Sequence, residues 1–289
     1  MSFTKPGMII VFLALLLAGG LSAQGVVIPF IYSNEGNSES WLNADDRAKI
    51  AEAIKTRLRE LGVKMGENDD QIVALEGDGE LLRKYMEENP RGVVIMDSIE
   101  APKAIFAKDD DTFVEKWLEN GGIMTWLSGY PFQMRDHGRV TKAVSRSVFD
   151  IDRDIQKPLI PKEQTKPTVL GERFMPSLKP FETFIPVNIA ALDELGFRYE
   201  IYGTAGANDE YADPIMFQSP DMKGWFMYTH MNQYTDFVDW NVSTMKERTA
   251  EQIGTEIAEF VINRFLFYSV ESVGKLAGSW GWIKNCQGK

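Results

Sequence analysis

Few side chains in this 289-residue chain are equipped for nucleophilic or acid–base chemistry, since it has one cysteine, Cys286, and two histidines, His137 and His230. Ser128 follows the apolar run Ile123-Met124-Thr125-Trp126-Leu127, and His230 follows Gly224-Trp225-Phe226-Met227-Tyr228-Thr229. A hydroxyl is a weak nucleophile unless a base within hydrogen-bond reach takes its proton, and a third group must orient that base. Ser128 as nucleophile, His230 as base and Asp97 or Asp236 as the orienting acid make one reading, a hydrolase. The plainer reading takes Ser128 as a turn former or cap and His230 as a polar strand-end group or ligand contact. Leu127 precedes Ser128 and Gly129-Tyr130 follows it, so the glycine-flanked G-x-S-x-G elbow is absent. Cys286 stands in the polar tail Lys284–Lys289, far in sequence from both histidines, which argues against a thiol enzyme.

The remaining candidates are binding residues. Asn34, Glu35 and Trp41 occupy one polar loop, Tyr130, Arg135 and His137 a second, and Asn232 and Tyr234 follow His230 in a third. Trp41, Tyr130 and Tyr234 suit stacking on a sugar ring, and Arg135 with Arg139 suits a carboxylate or phosphate. Two histidines and one cysteine give no zinc spacing, and the glycine pairs make neither G-x-G-x-x-G nor a P-loop. In Asp150-Ile151-Asp152-Arg153-Asp154, a calcium-loop alternation, Ile155 stands where the turn glycine belongs and Pro161 replaces the bidentate glutamate. No metal and no cofactor is therefore expected. Asp109-Asp110-Asp111 reads instead as the acidic cap of the helix that follows.

The elements that must position these residues alternate in type. Val26–Tyr32 reads as a buried strand, and residues 43–61 read as a helix with Ile50, Ala53, Ile54 and Leu58 on one face. Gln71–Leu75 is a short strand and Gly79–Glu88 a helix ended by Pro90. The clearest unit is the strand Gly92–Asp97, a helix through Phe113, Val114, Trp117 and Leu118, and the strand Ile123–Leu127. Such a βαβ crossover predicts a mostly parallel sheet with helices on both faces. From about 131 to 180 regular signals fade, with a short helix over 141–149 and prolines at 158, 161, 167 and 176, so this stretch reads as an irregular insertion. Beyond it, Val187–Leu195 reads as a helix, Phe197–Tyr202, Pro214–Gln218 and Gly224–Thr229 as strands, and Ala250–Leu266 as an amphipathic helix. Ligands of open α/β sheets bind outside the carboxyl ends of the strands, which selects the loops after residues 32, 97, 127 and 229.

Composition bounds the class. With 44% hydrophobic residues the chain is globular rather than disordered, and a net charge of −11 without a basic patch excludes a sequence-blind nucleic-acid binder. Lys5, the uncharged run Met8–Gly20 and the small residues Leu21-Ser22-Ala23 predict a signal peptide over residues 1–23. The run is shorter than the roughly 20 residues a spanning helix needs, so no stable membrane span is expected after cleavage. An exported, periplasmic or extracellular single domain over residues 24–289 follows.

The strand Val93–Asp97, the helix Phe113–Asn120 closed by Gly121-Gly122, the strand ending at Ser128-Gly129 and the late Gly224–His230 before a final helix together resemble the class I glutamine amidotransferase-like superfold, in particular its ThuA-like and non-amidotransferase branches. The resemblance covers roughly residues 26–130 and 214–266. It implies a three-layer, flavodoxin-like or amidotransferase-like α/β fold with its site at the carboxyl edge of the sheet. His230 matches the position of that superfold's histidine, Ser128 stands where the nucleophilic cysteine belongs, and Asn232 replaces the acid. The implied function is a non-catalytic domain binding a small molecule such as a carbohydrate, or an envelope protein. A hydrolase or ThuA-like sugar-modifying enzyme is the alternative. An envelope scaffold would instead carry an apolar patch within residues 156–180.

Overall fold

The computed structural model describes residues 28–32, 44–61, 72–76, 79–97, 101–107, 111–127, 131–132, 134–135, 138–139, 145–159, 163–230 and 248–266. The expected signal peptide lies outside these residues. Among the described residues no helix is long and apolar enough to cross a membrane. The strands are β1 (Ile28–Tyr32), β2 (Ile72–Glu76), β3 (Val93–Asp97), β4 (Ile123–Trp126), β5 (Met134–Arg135), β6 (Gly138–Arg139), β7 (Glu163–Gln164), β8 (Lys166–Pro167), β9 (Glu182–Thr183), β10 (Val187–Asn188), β11 (Arg198–Ile201), β12 (Gly203–Ala205), β13 (Tyr211–Ala212), β14 (Ile215–Gln218) and β15 (Trp225–Tyr228). The helices are α1 (Ala44–Glu60), α2 (Gly79–Glu88), α3 (Phe113–Glu119), α4 (Ser145–Phe149), α5 (Val169–Phe174), α6 (Ile189–Glu194) and α7 (Ala250–Val261), the last running into a π-helical turn at Ile262–Leu266.

The fold is α/β with a mixed, seven-stranded main sheet in the order β11-β14-β15-β4-β3-β1-β2. The pairs β2–β1, β1–β3, β3–β4 and β4–β15 are parallel, as the crossover helices require. Parallel pairing gives way at one edge, where β11–β14 and β14–β15 are antiparallel. Only a short turn separates β14 from β15, too little chain for a crossover helix.

Alternate residues of the central strands feed two cores. Val94, Met96, Met124, Trp126, Phe217, Phe226 and Tyr228 pack with Leu82 and Met86 of α2, Val114, Trp117 and Leu118 of α3 and Phe149 of α4. Val93, Ile95, Met216 and Met227 pack with Ile50, Ile54 and Leu58 of α1 and Ile253, Ile257 and Phe260 of α7. Helices α1 and α7 lie against each other, and Gly254 lets them meet. A Cβ there would stand 2.5 Å from the Ile50 carbonyl oxygen and 2.7 Å from the Ala53 Cβ.

Three local expectations change. The helix α3 is capped by Thr112, whose hydroxyl accepts from the Glu115 N–H at 3.1 Å while Glu115 accepts from the Thr112 N–H at 3.0 Å. This capping box takes the role expected of the aspartate run. Asn188 ends β10 and caps α6 through the Ala191 N–H, so the expected helix begins two residues late, at Ile189. The stretch expected to be irregular contains the β5–β6 hairpin, α4, the strands β7 and β8, and α5. Its strand β8 joins a second sheet, β10-β13-β12-β8, pairing antiparallel with β12 just before Thr168 caps α5. Leu159, Phe174, Met175 and Leu178 of this stretch are buried, with only Val169 widely exposed, so the apolar patch expected of a scaffold does not form among the described residues.

Candidate functional site

Strands β3, β4 and β15 end level with one another. Met96 pairs with Trp126 and Trp126 with Tyr228, and the ladder runs one residue further because the Leu127 N–H donates to the Met96 carbonyl at 2.9 Å and the Thr229 N–H to the Trp126 carbonyl at 3.1 Å. Asp97 and Thr229 therefore share one row, two strand spacings or about 10 Å apart. Strand alternation aligns Asp97 with Val93 and Ile95, toward α1 and α7. Helix α1 leaves β1 at this same edge, bringing Asp45, Asp46 and Arg47 there, and Arg248 precedes the Thr249 cap of α7.

Two buried acids dominate the edge. Asp213, on the turn between β13 and β14, is fully buried. Its Oδ2 accepts from the Thr183 hydroxyl at 2.5 Å, and its Oδ1 accepts from the Thr229 hydroxyl at 3.0 Å and the His230 main-chain N–H at 3.1 Å. Burial pushes its carboxyl up to about 6, against the opposing pull of those donors and of the Arg248 charge. Arg248 continues the network, donating through Nη1 to Thr229 at 2.9 Å and through Nε to Glu256 at 2.7 Å, with its guanidinium 4.3 Å from the Phe181 ring centroid. Glu256 also accepts from Gln252 at 3.0 Å, and burial raises its carboxyl although Arg248 opposes this. One polar chain thus ties β9, the end of β15 and the start of α7 together.

Asp97 is different. It is 1% exposed, its Oδ2 has no hydrogen-bond partner among the described residues, and burial holds its carboxyl well above the usual range. The positive charge of Arg47 opposes that rise and the negative charge of Asp46 adds to it. On β4 the Thr125 hydroxyl is likewise buried without a partner among the described residues.

Of the residues expected to form a site, His230 and Asp97 are placed with their side chains. The His230 imidazole is buried 6.3 Å from the Phe184 ring centroid, and its neighbouring acid, Asp213, holds the main-chain N–H. Asp97 sits in the field of α1. Arg135 is placed on the hairpin strand β5 by its backbone alone. Asn34, Glu35, Trp41, Ser128, Tyr130, His137, Asn232, Tyr234 and Asp236 lie outside the described residues. The acids of the supposed calcium loop serve arginines, Asp154 accepting from Arg146 at 3.2 Å and Asp152 from Arg153 at 3.1 Å. No cluster of metal-ligating side chains occurs among the described residues.

Sequence reasoning missed Thr183, Asp213, Arg248 and Glu256. A signal for Glu256 exists, since it stands three residues after Ile253 and so falls on the apolar stripe of α7, where an acid needs a buried partner.

No protein-family model matches the sequence, and no curated protein matches it. Among solved structures the chain is similar to a cytoplasmic protein from Salmonella typhimurium, with 9% identity and a TM-score of 0.42 over 81% of this chain and 98% of that one. It is also similar to a beta-galactosidase from Rahnella sp. R3, with 11% identity and a TM-score of 0.42 over 86% of this chain and 31% of the enzyme. A GH42 beta-galactosidase, Gan42B, matches with 9% identity and a TM-score of 0.40 over 81% of this chain and 29% of its own. The chain spans about a third of the length of either galactosidase.

Proposed function

We propose that the chain is an exported, non-catalytic α/β domain of the three-layer, amidotransferase-like kind that binds a small ligand of the carbohydrate class at the carboxyl edge of its main sheet. The observation that carries the non-catalytic part is the use of Asp213. This acid lies beside His230 yet engages Thr183, Thr229 and the His230 main chain, leaving the imidazole without that acid as its orienting group. In a Ser–His–acid triad the acid beside the histidine engages the ring, whereas Asp213 engages the main chain and two hydroxyls. Support for ligand binding comes from the meeting of strand ends and of the α1 and α7 N-termini at one edge, the usual ligand position in open α/β sheets.

Two measurements test the reading. Calorimetric titration with D-glucose and D-galactose is expected to show binding that His230→Ala weakens while the circular dichroism spectrum is retained. Assays with p-nitrophenyl acetate and p-nitrophenyl glycosides are expected to show no turnover above the uncatalysed rate. Turnover abolished by Ser128→Ala would overturn the proposal in favour of the hydrolase.

A further inference from the structure

We propose that Asp97 at the end of β3, Thr125 on β4 and the first turn of α1 form a subsite for the hydroxyl groups of a neutral polyhydroxylated ligand. This inference rests on the ligand-binding reading above and gives it a place and a chemical class.

The geometry comes from the sheet register. Ile95 pairs with Thr125, so Asp97, two residues further along β3, is the diagonal neighbour of Thr125 across the strand pair. A strand spacing of about 4.8 Å and a two-residue rise of about 6.6 Å put them about 8 Å apart, a gap that one or two ligand hydroxyls bridge. Alternation aligns both residues with the core face covered by α1 and α7, and both are at most 1% exposed. Their atoms Asp97 Oδ2 and Thr125 Oγ1 have no hydrogen-bond partner among the described residues. Buried polar atoms are satisfied in nearly all native structures, so two unsatisfied ones on one face beside the start of a 17-residue helix are bonding capacity that the packing leaves unused.

Charge selects the class. An anionic ligand arriving here meets Asp45 and Asp46 of the α1 first turn against the guanidinium of Arg47. A cationic ligand meets Arg47 and the positive end of the α1 dipole. A neutral group that both donates and accepts fits both sides, and a hydroxyl does so. Burial favours the protonated form of Asp97, which also donates and accepts.

The test is calorimetric titration of the full chain with D-glucose, D-galactose and maltose, compared with galacturonate and glucose 6-phosphate. Neutral sugars are expected to bind and the two anions to bind at least about tenfold more weakly. Asp97→Leu is expected to weaken neutral-sugar binding by about ten- to a hundredfold, while Asp97→Asn, which keeps a donor and an acceptor, stays within about threefold. Thr125→Val is expected to weaken it by about threefold to tenfold, and it carries the test alone if Asp97→Leu does not fold. Full affinity in Asp97→Leu or, should that variant not fold, in Thr125→Val overturns the subsite while leaving the ligand-binding reading intact. Preference for the anions overturns the neutral class, and no binding of any sugar overturns both this inference and the reading beneath it.

Discussion

Asp97 and Asp213 are both fully buried carboxyls at the same edge of one sheet, yet the structure treats them in opposite ways. Asp213 is surrounded by two hydroxyls, a main-chain N–H and the charge of Arg248, and these groups come from three separate segments of the chain, Thr183, Thr229-His230 and Arg248. Asp97 has one oxygen without a partner among the described residues and is opposed by the charge of Arg47. A saturated buried acid acts as a fastener, because every donor it releases becomes an unsatisfied group. An unsaturated one contributes little to holding the fold and keeps its bonding capacity for something else. That contrast predicts that substitutions on the Asp213 side damage stability and those on the Asp97 side damage binding.

The largest effect is expected at Arg248. Its side chain is 6% exposed and its partner Glu256 is fully buried, so Arg248→Ala leaves a carboxylate without its cation and removes the donor to Thr229. Breaking one partner of a buried pair costs about 3–5 kcal/mol, to be read as a fall in the urea midpoint. A loss below about 1 kcal/mol would break the comparison, since the saturated side would then be no more structural than the open one.

Asp213→Ala comes next, with an expected loss of about 2–3 kcal/mol, because the His230 N–H and the two threonine hydroxyls lose their common acceptor. Asp213→Asn sharpens the result through pH. The folded carboxyl lies at about 6 against an ordinary 3.8, so between those values the folded chain holds a proton that the unfolded chain has released. Through this group stability falls as pH rises from about 4 to about 6, and the full penalty, about 2–3 kcal/mol, is present above that window. The stability of the wild type relative to Asp213→Asn is therefore expected to rise as pH is lowered from 7 to 4, measured by denaturation at each pH. A flat difference would mean that the donors around Asp213 fully offset its burial.

How much of this was legible in the sequence differs between the two sides. The strand Val93–Asp97 and its level neighbours could be read from apolar runs bounded by glycines, and with them the position of Asp97 at a strand end. That periodicity reports burial and alternation, which are local properties. The Asp213 network could not be read in that way. Thr183, Asp213, Thr229 and Arg248 span 65 residues, and their meeting depends on the antiparallel edge β11–β14–β15 and on β9, whose two-residue length leaves no periodic signal. The aspartates before α3 misled for a related reason. Acidic residues near a helix start are favoured by the dipole, but the capping geometry was taken by the one residue, Thr112, whose Glu115 lies at the capping-box spacing.

The smallest expected stability change is at Asp97, and there smallness is the informative result. Replacing a buried carboxyl that has an unpartnered oxygen removes a desolvation penalty along with a weakly opposed charge. Asp97→Leu is therefore expected to leave the urea midpoint within about 1 kcal/mol of the wild type, or to raise it, as apolar replacement of buried charged groups often does. The counterpart on the other side, Arg47, then faces one acid fewer, and Asp46 remains in the first turn to balance it. A loss above about 3 kcal/mol in Asp97→Leu would place both acids in the same structural class and end the distinction between a fastener and an open site.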